Sequence, residues 1–326
     1  MTAINEVIQE IRKNQTFLIS THINPEGDAL GSSLALGLAL KTLGKKVLVV
    51  NRDPVPRALD FLPYQQIFQQ RDRVSEPYDV LAVLDCGDLA RTALFDPQRM
   101  PATRIVNIDH HLTNHHFGHV NWIQVDATAT GEMIYDLMKA MGIQVTPDIA
   151  LCLYTSIVTE TGSFRYSNTS ARTFQMAAEL MGKGVEPWKA AQQLFERNTE
   201  GQLRLLAELL VKMEVNQDGR MAWMVVTQDQ FAATKTTAED TENFINYPRS
   251  IDGVEVAIFF RELTPDNYKL SFRSKGRVDV AALAEKFGGG GHHNAAGCVV
   301  KGSFGQVKEK ILAAVGDAIR REVGKV

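Results

Sequence analysis

Four stretches of this chain place carboxylates and imidazoles where they could hold divalent cations. The first is THINPEGDALGSS, residues 21–33, which sets His22, Glu26 and Asp28 in one turn between two apolar segments. The second is Asp85, which ends the otherwise apolar run DVLAVLD. The third is Asp109-His110-His111, directly after RIVNI. The fourth is Glu160, which closes LCLYTSIVTE just ahead of a turn at Gly162. Each alone has an ordinary explanation. Glu26 and Asp28 would cap a helix and meet its positive end, Asp85 would sit in a turn, and Glu160 would be a solvated helix terminus. Imidazoles after a buried strand seldom serve packing, however, and the four ligand sets complement one another.

Mixed carboxylate and imidazole ligands, without thiolates, suit manganese or magnesium better than structural zinc. Five or six such ligands, one carboxylate bridging, would hold two cations roughly 3.5–4 Å apart. Such a pair lowers the pKa of a bridging water, clamps a phosphoryl oxygen and stabilises the leaving oxygen of an in-line displacement. The expected chemistry is phosphoester hydrolysis.

The elements that must position these residues follow from the apolar pattern. TFLISTH, KVLVVN (46–51), DVLAVLDC (79–86) and RIVNIDHH (104–111) are continuous apolar runs without alternation. Strands buried on both faces read this way, so the first half is an α/β domain with a parallel sheet and helices on both faces. In such sheets ligands bind beyond the carboxyl ends of the strands, where three of the four stretches fall. DALGSSLALGLALKTLG is a helix apolar nearly all round, with Pro25 and Gly27 shaping the loop before it and Asp28 opening it. Further helical patterns cover about 128–141, 147–158 and 170–183. A charged helical stretch then reads as a connector. Beyond NQDG, strand patterns at MAWMVVTQ, VEVAIFFREL and YKLSFRSK alternate with helical DVAALAEKF and GQVKEKILAAVGDAIRREV, a smaller α/β domain. The expected division is 1–188, a connector over 189–214, and 215–326.

The second domain carries GGGGHHNAAG, residues 288–297. Glycines permit positive φ and let backbone N–H groups approach an anion. In YKLSFRSK, Lys269, Ser271, Arg273 and Lys275 alternate with Leu270 and Phe272, which makes one strand face basic. A basic face beside a glycine nest reads as a phosphate site. His115, His116 and His119 read as loop or surface histidines, and the three tryptophans as core.

HINPEGDALGS, the aspartate of AVLDCGD, NIDHH and TETGSFRYSNTS resemble, in order, the motifs of the DHH phosphoesterase superfamily. FRSKGRVDVAALAEKFGGGGHHNAAG is similar to the DHH-associated domain of the branch holding nano-RNases and 3′-phosphoadenosine 5′-phosphate phosphatases. The resemblance implies His22, Glu26 and Asp85 around one metal, and Asp28, Asp85, His110 and Glu160 around the other. It implies His111 at the scissile phosphate and Asp109 orienting an imidazole. Gly289, Gly290, His292, His293, Arg273 and Lys275 would hold the substrate, the two lobes facing a cleft. The family usually has Asp where this chain has Glu26 and Glu160, each a methylene longer. The implied activity is manganese-dependent release of mononucleotides from very short RNAs, and removal of the 3′-phosphate of adenosine 3′,5′-bisphosphate; magnesium or cobalt could substitute. The competing readings are a phosphodiesterase for cyclic or linear dinucleotide signals, and a nucleotide-binding sensor with weak hydrolysis.

Bulk properties fit a small phosphorylated ligand. The 326 residues carry a formal charge of −3 with a pI near 6.3, which argues against a protein that coats long duplex DNA. The longest apolar run is too short to span a bilayer, and the amphipathic, charged N-terminus does not read as a signal peptide. Cys86, Cys152 and Cys298 form no CxxC pair, so a reducing, cytoplasmic setting with free thiols is expected. A homodimer is compatible with this reading.

Overall fold

A computed structural model describes residues 2–95 and 100–324; the side chain of His292 lies outside the described residues. The chain divides into two compact units, Met1–Arg197 and Asn198–Val326. The first runs α1 (Ala3–Lys13), β1 (Thr16–Ser20), α2 (Gly27–Thr42), β2 (Lys46–Asn51), β3 (Phe68–Gln70), β4 (Tyr78–Leu84), β5 (Ala102–Asp109), β6 (Val120–Ile123), α3 (Thr130–Met141), α4 (Pro147–Glu160), α5 (Ala171–Met181) and α6 (Pro187–Phe195).

Its six strands pair in parallel in the order β3-β2-β1-β4-β5-β6. Strand order therefore reverses between β1 and β4, the switch point at which open α/β sheets bind ligands beyond the carboxyl ends of the strands. The apolar runs are continuous because both faces are covered. Phe17, Ile19, Val80 and Ala82 face α1, α2, α3 and α4. Leu18, Leu48, Leu81 and Val83 face the other way, onto Val74, Leu94 and the connection holding a 3₁₀ turn at Leu89–Thr92. Helical cover is thus α-helical on one face and 3₁₀ on the other. Leu18 and Leu81 are fully buried, each worth about 1.5–3 kcal/mol in apolar burial. β3 and β6 escaped the sequence reading because FQQ is a short polar edge strand and VNWI alternates, so neither gives a continuous apolar run.

The second unit runs α7 (Glu200–Val211), β7 (Glu214–Val215), β8 (Met221–Val226), α8 (Gln228–Thr234), α9 (Asn246–Ser250), β9 (Val256–Thr264), β10 (Asn267–Ser274), α10 (Val280–Glu285), β11 (Gly290–His292), β12 (Ala295–Lys301) and α11 (Phe304–Glu322). Its sheet order is β11-β12-β10-β9-β8-β7, with only the β8–β9 pair parallel. One face packs Ile258, Phe260, Leu270 and Phe272 against α10 and α11. The other packs Met224, Val226, Ala257 and Phe259 against α7 and α8. The stretch read as a connector holds two helices, α6 in the first unit and α7 in the second.

The glycine-rich segment is a β-hairpin. Gly290, Gly291 and His292 pair with Gly297, Ala296 and Ala295. A Cβ on Gly289 would lie 2.1 Å from the Gly297 carbonyl oxygen, and Gly291 sits at φ +149° with a Cβ position 2.4 Å from the Ala295 oxygen. The glycines thus serve close strand approach as well as backbone freedom. One expectation is corrected: Trp122 and Trp223 are buried, but Trp188, at the start of α6, is 65% exposed.

Candidate metal centre

At the β1–β4 switch point the chain gathers the charged residues of all four stretches. Glu26 occupies the N-cap of α2, yet its side chain makes no capping bond. It meets the His22 Nε2 at 3.1 Å instead, and that nitrogen lies 3.8 Å from Asp85 Oδ2. Asp28 turns away from its own helix to accept the Thr130 and Gly131 amides at the start of α3, at 2.8 and 3.0 Å, and the Ser156 hydroxyl at 2.5 Å. Gly131 is required there, since a Cβ would fall 2.0 Å from the Ser156 hydroxyl oxygen. The positive end of α3 so steadies a carboxylate that is wholly buried.

Asp85 follows β4 with φ +52°, a left-handed conformation that Asp tolerates better than most residues. The turn is held from behind: the Asn107 amide donates to the carbonyls of Val83 and Cys86, and the Asn114 amide donates to that of Cys86. The Thr130 hydroxyl donates to Asp85 Oδ1 at 3.2 Å. His110 Nε2 lies 3.5 Å from Asp85 Oδ1 and 3.6 Å from Asp28 Oδ2. Asp109 Oδ1 accepts from His111 Nδ1 at 2.6 Å, and Asp109 Oδ2 from Asn114 Nδ2 at 2.5 Å.

Among the described residues, three groups that could hold a metal ion result, each with its atoms within 4.8 Å of one another: His22, Glu26 and Asp85; Asp28, His110 and Glu160; and Asp85, His110 and His111. Tautomers fit the same use. His22 Nδ1 faces the Ile23 carbonyl at 2.7 Å, and His110 Nδ1 faces that of Ala127 at 3.2 Å. A carbonyl only accepts, so each Nδ1 carries hydrogen and each Nε2 is directed at the carboxylates.

Charge at the centre is out of balance without cations. Burial and then the Asp85 charge push the Asp28 carboxyl up, and burial with the Asp28 charge pushes Glu160 well above the usual range. Burial works against the imidazolium form, yet Glu26 and Asp85 raise His22 to about 9, and Asp85 and Asp28 raise His110 to about 11. Burial also opposes the Asp85 anion, but His110, His111 and His22 hold its carboxyl well below the ordinary value. Protons collect where positive charge is wanted, and hard, oxygen-preferring divalent cations suit this donor set.

Two domain patterns match the chain: the N-terminal domain of the DHH family over residues 16–157, and the DHHA1 domain over residues 224–321. A relative from Thermus thermophilus, named a bifunctional oligoribonuclease and PAP phosphatase NrnA, is 34% identical over 322 residues, 98% of this chain and 95% of its own. The chain belongs to the DHH phosphoesterase family. A DHH relative of the same name from Bacillus subtilis is 29% identical, covering 90% of this chain and 92% of its own. Among solved structures, an exopolyphosphatase-related protein from Bacteroides fragilis aligns with TM-score 0.88 and 28% identity, over 98% of this chain and 96% of its own.

For this DHH protein the sequence missed the residues that hold the candidate ligands and their turn in place: Thr130, Ser156, Asn107 and Asn114. Only Asn114 left a local signal, three residues after His111. His115 is exposed near Asp88, while His119 Nδ1 accepts the Ile105 amide at 3.0 Å. In the second unit, Lys275 Nζ donates to the Ile251 carbonyl, and His293 meets the Gly276 carbonyl. Arg273 stands half-buried on β10, in register with Ala295. All three cysteines are free and buried, and no helix among the described residues is long and apolar enough to cross a membrane.

Proposed function

We propose that this chain is a two-metal phosphodiesterase that hydrolyses very short RNAs to mononucleotides and removes the 3′-phosphate of adenosine 3′,5′-bisphosphate, in the cytoplasm and with manganese as its preferred ion. The observation that carries this reading is Asp85. Its two oxygens face different imidazoles, Oδ2 toward His22 and Oδ1 toward His110, between one ligand group containing Glu26 and another containing Asp28 and Glu160. Near-full-length likeness to relatives named oligoribonuclease and PAP phosphatase supports the substrate class.

Two divalent ions, when bound, supply an activated water and polarise the phosphoryl oxygen. The protein's own groups do the rest. Asp28 and Asp85 are fixed by the start of α3, so their orientation needs no rearrangement during reaction. Asp109 holds His111 through Nδ1, and although burial opposes the charged ring, the Asp109 and Asp85 carboxylates raise its pKa. His111 is therefore the group to protonate the leaving oxygen. In the second unit we assign Arg273, Lys275, Gly289, Gly290, His292 and His293 to the nucleotide's distal phosphate. Both substrates present a terminal phosphoester beside a second phosphate, so one arrangement serves both.

The test is turnover with manganese of pApA, adenosine 3′,5′-bisphosphate and cyclic di-AMP, offered separately, with Asp85→Ala alongside. AMP release that the variant loses is the expected result. Intact nucleotide binding without turnover of any of the three would sink the proposal.

A further inference from the structure

Across the β9–β10 pair of the second unit, Arg261 and Lys269 stand directly opposite each other. Both are half-buried. Arg261 Nε is closed off from solvent and donates to no acceptor among the described residues. Glu242 is the carboxylate that attracts both groups, but neither makes an ion pair with it among the described residues. Like charges directly opposite on a sheet are destabilising, and a half-buried cation without a partner adds desolvation cost. Burial lowers the Arg261 guanidinium; burial and then the Arg261 charge lower Lys269. Nothing in packing requires this pair, because the apolar core on this face is made by Met224, Val226, Ala257 and Phe259.

The surroundings fit an extended anionic ligand. The core on this face contains no residue of β10 or β12, and Val299, the β12 partner of Lys269, is 51% exposed. One register step along, the row reads Phe259, Ser271, Gly297 and Gly290, a floor with almost no side chain beyond β9. The next step reaches Arg273. Lys269 and Arg273 are four residues apart on one strand face, ~13 Å at ~3.3 Å per residue. Two basic positions flanking a flat, small-residue floor match a nucleotide chain with one phosphate at each position and more than one nucleoside lying between.

We infer that Arg261 and Lys269 form a second phosphate subsite, distinct from Arg273, which takes a phosphodiester further along an oligonucleotide and so favours longer substrates. This rests on the proposed oligoribonuclease activity. A mononucleoside bisphosphate carries the same phosphate chemistry but is too short to reach both positions.

The experiment compares kcat/KM for 5′-phosphorylated penta-adenylate with that for the dinucleotide, in wild type, Lys269→Met, Arg261→Met and Lys269→Arg. The pentamer-to-dimer ratio is expected to fall about tenfold in each Met variant, one lost phosphate contact being worth ~1.4 kcal/mol, and to be kept in Lys269→Arg. Lys269→Met should also hold or raise the thermal midpoint, since it relieves the like-charge pair. An unchanged ratio in both Met variants, or an equal fall at every length, would overturn the subsite. If wild type turned over no oligonucleotide, the parent reading would fail separately. Anisotropy of labelled penta-adenylate then judges the subsite: weaker binding to Lys269→Met upholds it, equal binding overturns it.

Discussion

In the first unit, the buried Asp28, Asp85 and Asp109 and the partly buried His110 each have a fixed partner: an amide at the start of α3, a threonine hydroxyl, an asparagine or a backbone carbonyl. In the second unit, Arg261 and Lys269 face each other across β9 and β10, and Arg261 Nε is buried with no acceptor among the described residues. The two regions also differ in sign, one crowded with carboxylates and the other with cations. Small metal ions demand geometry, so their ligands are fixed beforehand. A flexible phosphate chain brings its own reach, so the groups meeting it can wait for it. Removing a group from the first region should therefore strike the rate, and from the second, substrate affinity.

The largest expected effect is that of Asp85→Ala, which removes the carboxylate shared by two ligand groups. kcat should fall by about 10³-fold, the upper end for losing one preorganised electrostatic contact, and manganese should no longer raise the thermal midpoint. Asn114→Ala comes next. It touches no ligand directly, but it frees Asp109 and the Cys86 carbonyl, so kcat should drop ~10–100-fold with KM little changed. A KM effect without a kcat effect would break the contrast between the units.

Acidity gives the third prediction. Metal binding needs a bare Nε2 on His22 and His110, whose pKa values without metal stand at about 9 and about 11. Protons must leave when manganese enters, so apparent affinity rises with pH, about tenfold per pH unit for each proton displaced, through the range below 9. Calorimetry in buffers of different ionisation enthalpy would read the protons released; none released at pH 7 would contradict the charge imbalance. The smallest effect on chemistry is expected in the second unit. Gly291→Ala strains a positive-φ position at ~1–3 kcal/mol. It should raise KM for the dinucleotide several-fold and leave manganese binding to the first unit intact.

The sheet and the cluster of carboxylates and imidazoles were legible because both leave local marks. Buried parallel strands read as unbroken apolar runs, and a charge at the end of such a run, as at Asp85 or Asp109, stands out against it. What could not be read was everything that depends on distant pairing. Thr130 and Ser156 are ordinary helix residues in sequence, and only the approach of α3 and α4 makes them hold Asp28. GGGGH suggested an open nest, whereas pairing with β12 makes it a hairpin. Trp188 looked like core by type, and its place at the start of α6 leaves it exposed. Lys269 was visible as one tooth of a basic face, but Arg261 became its neighbour only through the register of β9 and β10.

The central claim is that Asp85 stands between two cations. Anomalous diffraction at the manganese edge, from crystals grown with that ion, tests it most directly. Two peaks flanking Asp85 are predicted, one beside His22 and Glu26 and the other beside Asp28, His110 and Glu160. A single peak in an active crystal, or peaks away from Asp85, would contradict it.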